Sequence, residues 1–158
     1  MSDQLDDMYR EVIMDHFRAP RGKDPLKTID IETGGHNPSC GDELELQLEL
    51  DHDRIKDVHV GCKGCAISVA SGSMLAEIVK GRPIEEVKRI AELVKRMLKG
   101  EEVELPDDLE DIDALKGVRQ FPVRIKCALL SWATLMEGIK SYENGSTKGT
   151  ASTETEEE

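Results

Sequence analysis

Apolar positions repeat at two different periods along this chain, and the change between them divides it. Leu5, Met8, Val12 and Ile13 fall at helical spacing, which predicts a helix over residues 4–18 that Pro20 stops. A connection rich in proline and glycine follows over residues 20–25, then a short alternating run over 28–33. The next segment is unambiguous: Leu44, Leu46, Leu48 and Leu50 alternate with Glu43, Glu45, Gln47 and Glu49, giving a strand with one dry and one wet face. Asp51-His-Asp-Arg54 reads as a hairpin turn, and residues 55–62 return as a third strand with Val58, Val60 and Cys62 on one face.

Beyond Cys65 the period is helical. Ile67, Ala70, Met74 and Ile78 form one stripe over residues 66–79, which Gly81 ends. Pro83 opens a helix whose stripe is Ile84, Val87, Ile90, Ala91, Val94 and Leu98. Residues 100–121 are acidic and weakly periodic, with a short helix expected over 107–113. The last helix, 123–142, buries Ala128, Trp132, Leu135 and Ile139. Strands first and helices after predict an α+β fold, a small three-stranded antiparallel sheet packed against several helices. The domain is expected to span residues 1–143. Residues 144–158, nearly all Gly, Ser, Thr and Glu, are expected to be a disordered acidic tail.

Composition narrows the function. With 33 acidic and 21 basic residues the formal net charge is −12. Such a balance opposes both nucleic acid, which rewards phosphate neutralisation, and an anionic membrane surface. Aromatics are 3% of the chain, so Leu, Ile, Val, Ala and Met must build the core. No stretch approaches a spanning helix, and the acidic start lacks the basic and apolar regions of a signal peptide. A cytoplasmic location is the expectation, and it governs the four cysteines, Cys40, Cys62, Cys65 and Cys127. In a reducing compartment they point to metal binding or thiol chemistry rather than disulfides.

Their placement is more informative than their number. Cys40 and Asp42 share the glycine-rich loop Gly34-Gly-His-Asn-Pro-Ser-Cys-Gly-Asp42, a spacing that lets both side chains reach one centre. Cys65 precedes one helix, and Cys127 lies near the start of another, beside Arg124 and Lys126. Helix N-termini and neighbouring cations favour thiolate, the form that binds metal and attacks sulfur. Zinc takes four ligands of these kinds. Cys40, Cys65 and Cys127 supply three, and Asp42, Cys62 or His36 could complete the set. Three thiolates, a carboxylate and a divalent ion leave a net charge of −2, which makes nearby cations useful. Cys62 also reads as a small core residue on the Val58–Val60 face. A purely structural zinc staple is the plainer account of the whole group. His16 reads as a satisfied structural or surface histidine, and His52 and His59 as a turn residue and a wet-face strand residue.

At these positions the chain resembles a known family. Asn37-Pro-Ser-Cys-Gly-Asp42, Gly64-Cys-Ala-Ile-Ser68 and Arg124-Ile-Lys-Cys127 look like the three cysteine motifs of the IscU/NifU-like iron–sulfur cluster assembly proteins. The opening Met8-Tyr-Arg-Glu-Val-Ile-Met-Asp-His-Phe-Arg-Ala-Pro-Arg21 is similar to that family's first helix and turn. The long Cys65-to-Cys127 separation and Lys126, where IscU-type scaffolds carry histidine, point to the SufU-type branch; Cys62 stands where the family usually has glycine. The resemblance implies an IscU/SufE-like fold and a Zn2+ site of Cys40, Asp42, Cys65 and Cys127. It implies a sulfurtransferase role in which Cys40, with Arg124 beside the site, accepts sulfur from a SufS-type pyridoxal-phosphate (PLP) cysteine desulfurase for downstream cluster assembly proteins. The alternative is a scaffold that assembles a [2Fe–2S] cluster, or holds iron, on the same residues.

Overall fold

The computed structural model describes residues 3–38, 41–145 and 148–152, with side chains from Tyr9 onward except at residue 110 and beyond residue 145. Helix α1 (Asp3–Arg18) leads through the 19–30 connection into β1 (Ile31–Asn37), β2 (Asp42–Asp51) and β3 (Arg54–Lys63). These three strands form the expected antiparallel meander, and Asp51 pairs with Arg54 across the His52-Asp53 turn. Helices α2 (Ala66–Val79) and α3 (Ile84–Leu98) follow. A one-turn 3-10 segment, Asp107–Leu109, then precedes α4 (Glu110–Asp113), and a longer 3-10 segment, Ala114–Gln120, precedes α5 (Pro122–Glu143).

Three boundaries differ from the sequence reading. β1 begins later than residue 28 and runs through Gly34 and Gly35, which pair with Glu45 and Leu44. The connection between β1 and β2 is therefore only residues 38–41 rather than the whole glycine-rich run. Its length is set by backbone pairing against the strong alternation of β2, and α5 packs so closely that a Cβ on Gly35 would strike Thr134. At the other end, Lys148–Ser152 forms β4, which pairs in parallel with β1 from Glu32–Lys148 to His36–Ser152, so the sheet order is β3-β2-β1-β4. Disorder was expected there because the segment has almost nothing to bury. Composition speaks to burial only, and the outer edge of β1 offers N–H and C=O groups that any backbone can pair with. Residues 146–147 and 153–158 of the expected tail lie outside the described residues.

The core lies between one face of the sheet and helices α2, α3 and α5. Leu44, Leu46, Leu48, Val58 and Val60 meet Met74, Leu75, Val94, Met97, Leu130, Trp132 and Leu135, all buried. The expected stripe of α3 is the buried one, and that of α5 is buried too but is only part of a wider buried surface that includes Leu129, Leu130, Ser131 and Thr134. The stripe read for α2 was too narrow, because this helix is buried on nearly every side, Ser68, Ser71, Gly72 and Ser73 included. Small residues let neighbouring backbones come close, and their hydroxyls find partners: Ser71 donates to Ala128 O at 2.6 Å and accepts from Trp132 Nε1 at 3.1 Å.

Two histidine expectations resolve differently. His16 is buried, with Nδ1 2.7 Å from Ser73 Oγ and Nε2 2.9 Å from Asp111. It is a satisfied structural histidine tying α1 to α2 and α4. His59, expected on a wet face, is buried as well, with Nδ1 3.1 Å from Gly22 O and Nε2 3.1 Å from Glu45. The 19–30 connection covers that side of the sheet, since Leu26 N–H also donates to Gln47 Oε1. The acidic 100–121 stretch is equally well tied down: Leu109, Ile112, Leu115 and Val118 are buried, while Asp113 accepts from Tyr9 and Asp108 from Arg82.

Candidate metal centre

One end of the sheet brings three of the expected ligands together. Asp42 opens β2, Cys65 is the N-cap residue of α2, and Cys127 sits in the second turn of α5. One ligand atom from each lies within 4.8 Å of the others. Zinc bonds of about 2.0–2.3 Å place tetrahedral ligand atoms roughly 3.5–3.8 Å apart, so this spacing suits one ion. Cys40 lies outside the described residues. The loop that carries it is closed by Gly41 N–H donating to Asn37 O at 2.8 Å, and Gly41 takes a φ of 75°, which glycine adopts without strain.

The carboxylate of Asp42 is 1% exposed and only half satisfied. Oδ1 accepts the Cys65 backbone N–H at 3.0 Å, whereas Oδ2 is buried with no partner among the described residues. An unmatched anionic oxygen inside a thiol cluster costs free energy unless something positive completes it. A divalent cation fits that role, and the donor set of two sulfurs and a carboxylate oxygen is one zinc accepts. Room for the carboxylate depends on Gly64, where any Cβ would strike Asp42 Oδ1.

The two sulfurs meet different surroundings, because Cys65 caps the N-terminus of α2 while Cys127 lies inside α5. Cys127 is too far into α5 to face its free N–H groups. Instead Arg124 Nη1 lies 4.0 Å from Cys127 Sγ. The guanidinium's pKa is pushed up by that hydrogen bond and by the charge of Cys65 and Cys127. As a thiol, Cys127 donates back to Val123 O at 3.7 Å. The sequence reading missed two further groups: the carboxamide of Asn37, with Nδ2 3.8 Å from Cys127 Sγ, and Ser68, which donates to Cys65 O at 3.0 Å. Both stand inside the motifs quoted above, but nothing in a sequence tells Asn37 as a donor to sulfur, or Ser68 as a donor to the Cys65 carbonyl, from a turn or helix former.

His36 and Cys62 are not in the cluster. His36 is exposed on β1 opposite Glu43, and Cys62 lies on β3, packed at the core edge with Sγ 3.7 Å from Ser68 Oγ. Burial pushes the Cys62 thiol up to about 11, against a smaller lowering by Ser68. Roughly 100-fold less thiolate than an ordinary cysteine carries follows at pH 8, so a neutral alkylating reagent should modify Cys62 about 100-fold more slowly than a free thiol. Mass mapping after timed alkylation checks this. The sign for folding is also set: the unfolded thiol ionises first, so the contribution of Cys62 to stability is full below about pH 9 and lost as pH rises towards 11. A second cluster among the described residues, His16, Glu77 and Asp111, has Arg21 Nε 3.6 Å from Glu77 and reads as an ion-pair network.

The model of the NifU-like N-terminal domain matches residues 8–94, more than half of the chain. The chain is 43% identical over 141 residues to the zinc-dependent sulfurtransferase SufU of Bacillus subtilis, covering 89% of this chain and 95% of that protein. It is 36% identical to the iron–sulfur cluster assembly scaffold protein IscU of Streptococcus pyogenes, covering 89% and 88%. A crystal structure from Fervidobacterium islandicum, assigned as a candidate scaffold for the SUF system, superposes with a TM-score of 0.75 at 30% identity, covering 87% and 99%. The N-terminal part of a Brucella abortus NifU-like protein shares the fold, with a TM-score of 0.81. The α+β architecture, the zinc-type donor set and these likenesses agree, and the chain belongs to the NifU-like N-terminal domain family of iron–sulfur cluster assembly proteins.

Proposed function

We propose that this chain is a cytoplasmic sulfur acceptor that takes persulfide sulfur from a SufS-type, pyridoxal-phosphate cysteine desulfurase and passes it to downstream cluster assembly proteins. Zinc is held by Cys40, Asp42, Cys65 and Cys127. The observation that carries this reading is the buried, half-satisfied Asp42 carboxylate converging with the sulfurs of Cys65 and Cys127. A relative named as a zinc-dependent sulfurtransferase supports it. Bound there, zinc would keep the thiols ionised at neutral pH.

The chain's own residues supply the rest. Cys40, on the short loop between β1 and β2, is the acceptor. Its thiolate attacks the terminal sulfur of the enzyme's cysteine persulfide, a new S–S bond forms on Cys40, and the donor cysteine leaves as thiolate. The exchange needs no outside oxidant. Arg124, against the sulfurs, offsets negative charge while the attacking thiolate is free. Cys65, at the N-cap of α2, and Cys127, inside α5, stay fixed while the loop arm lets go.

Intact mass after turnover with desulfurase and cysteine tests the assignment. Wild-type protein should gain one sulfur atom, and Cys40→Ala should gain none; sulfur on the variant would overturn the role of Cys40. Metal analysis of protein purified without added metal separates the second reading, a [2Fe–2S] scaffold, which the IscU-named relatives favour. One tightly held zinc supports the relay, iron with acid-labile sulfide supports the scaffold, and no metal overturns both.

A further inference from the structure

Asn37 is the last residue of β1 and is fully buried. Three of its contacts converge on the candidate metal centre. Its Nδ2 reaches Cys127 Sγ at 3.8 Å, its backbone carbonyl accepts Gly41 N–H at 2.8 Å, and the strand register pairs it with Asp42. One residue thus touches the sulfur of one ligand and holds the backbone from which another ligand departs.

An asparagine is an expensive choice at such a place. Its Oδ1 is buried with no partner among the described residues, and a buried acceptor left unpaired carries a desolvation cost. A leucine would fill similar space without that penalty. Orientation shows what offsets it: the amide presents its N–H, not its oxygen, to the sulfur. Beside a thiolate only that orientation is attractive, and a hydrogen bond to an ionised acceptor is about twice as strong as a neutral one.

We propose that Asn37 is a positioning residue of the metal centre, donating an N–H to the Cys127 thiolate so that the sulfur is aimed at the ion and part of its charge is withdrawn. The inference rests on the metal reading given under the proposed function. With three thiolates and a carboxylate around a divalent ion, withdrawal of charge by a fixed neutral dipole complements the full positive charge of Arg124. Arg124 is exposed at the mouth of the site, whereas Asn37 approaches from the buried side.

The test uses Co2+ in place of zinc in the full chain, comparing wild type with Asn37→Leu and Asn37→Asp. Leucine removes the donor and keeps the volume; aspartate keeps the shape and replaces the donors with acceptor oxygens. Both variants should shift the thiolate-to-cobalt charge-transfer band to longer wavelength and hold Co2+ about 10- to 100-fold more weakly against EDTA, the loss of affinity that follows removal of an outer partner elsewhere. Should Asn37→Leu fail to fold by circular dichroism, Asn37→Asp decides alone. A band in the wild-type position with wild-type Co2+ affinity in the folded variants would overturn the role of Asn37 and leave the metal reading standing. The same holds if aspartate behaves as wild type while leucine does not, since that pattern marks a shape requirement. A wild-type protein with no thiolate band overturns the metal reading and this inference together.

Discussion

Asp42→Ala is expected to strip the centre of its metal more completely than any change outside the ligand set. Two losses combine. The proposed anionic ligand disappears, and the Cys65 backbone N–H, now 3.0 Å from Oδ1, is left without an acceptor at the point where α2 begins. Removing an outer partner of a metal site costs about 10–100-fold in affinity, and removing a ligand should exceed that. Competition with a chromophoric chelator measures it. Asp42→Asn separates the two effects, because its amide oxygen can still accept from Cys65 while the charge is gone. Metal should be lost from both variants, with the thermal stability of the metal-free protein lowered more in the alanine variant. Wild-type metal affinity in Asp42→Ala would show that the carboxylate is not a ligand.

The largest stability effect should come from Trp132→Ala. This indole is 1% exposed on α5, inside the core shared with α2 and α3. Truncating a buried aromatic side chain to alanine costs about 3–5 kcal/mol, because transfer energy and the cavity left behind both count. The Nε1 donor to Ser71 disappears as well, but Ser71 keeps Ala128 O as a partner, so no hydroxyl is stranded. For a domain of this size the melting temperature should fall by on the order of 10 °C. Urea denaturation followed by circular dichroism gives the free energy directly. A change below about 1 kcal/mol would mean that the core refills the space, against the close packing expected of protein interiors.

Most of the fold was legible wherever burial has a period. The leucine alternation of β2, the hairpin at Asp51–Arg54 and the stripe of α3 stand as read, since in each the buried positions keep one local period. Misreadings fall where a segment is buried on both sides, or where a strand forms by edge pairing without a burial period in its sequence. Helix α2 is enclosed on nearly every side, so a stripe describes only part of it. His59 and Gln47 occupy the polar face of the sheet, yet the 19–30 connection covers them, and no local pattern announces a cover supplied from elsewhere in the chain. The sequence of β4 shows no burial period, and its backbone pairs with the open edge of β1.

The site divides along the same line. From the residue types and their spacing alone, the chain carries thiols placed for metal or sulfur chemistry, an aspartate two residues from one of them, and a charge that argues against nucleic acid. Those are local properties, carried by side-chain chemistry and by where helices and turns must begin. Folding alone decided that Asp42, Cys65 and Cys127 share one centre while Cys62, three residues from Cys65, does not. It alone turned Asn37 towards the Cys127 sulfur and left one oxygen of Asp42 without a partner among the described residues. Proximity between distant segments is fixed by how a sheet and three helices close-pack, and no window of sequence contains that sum.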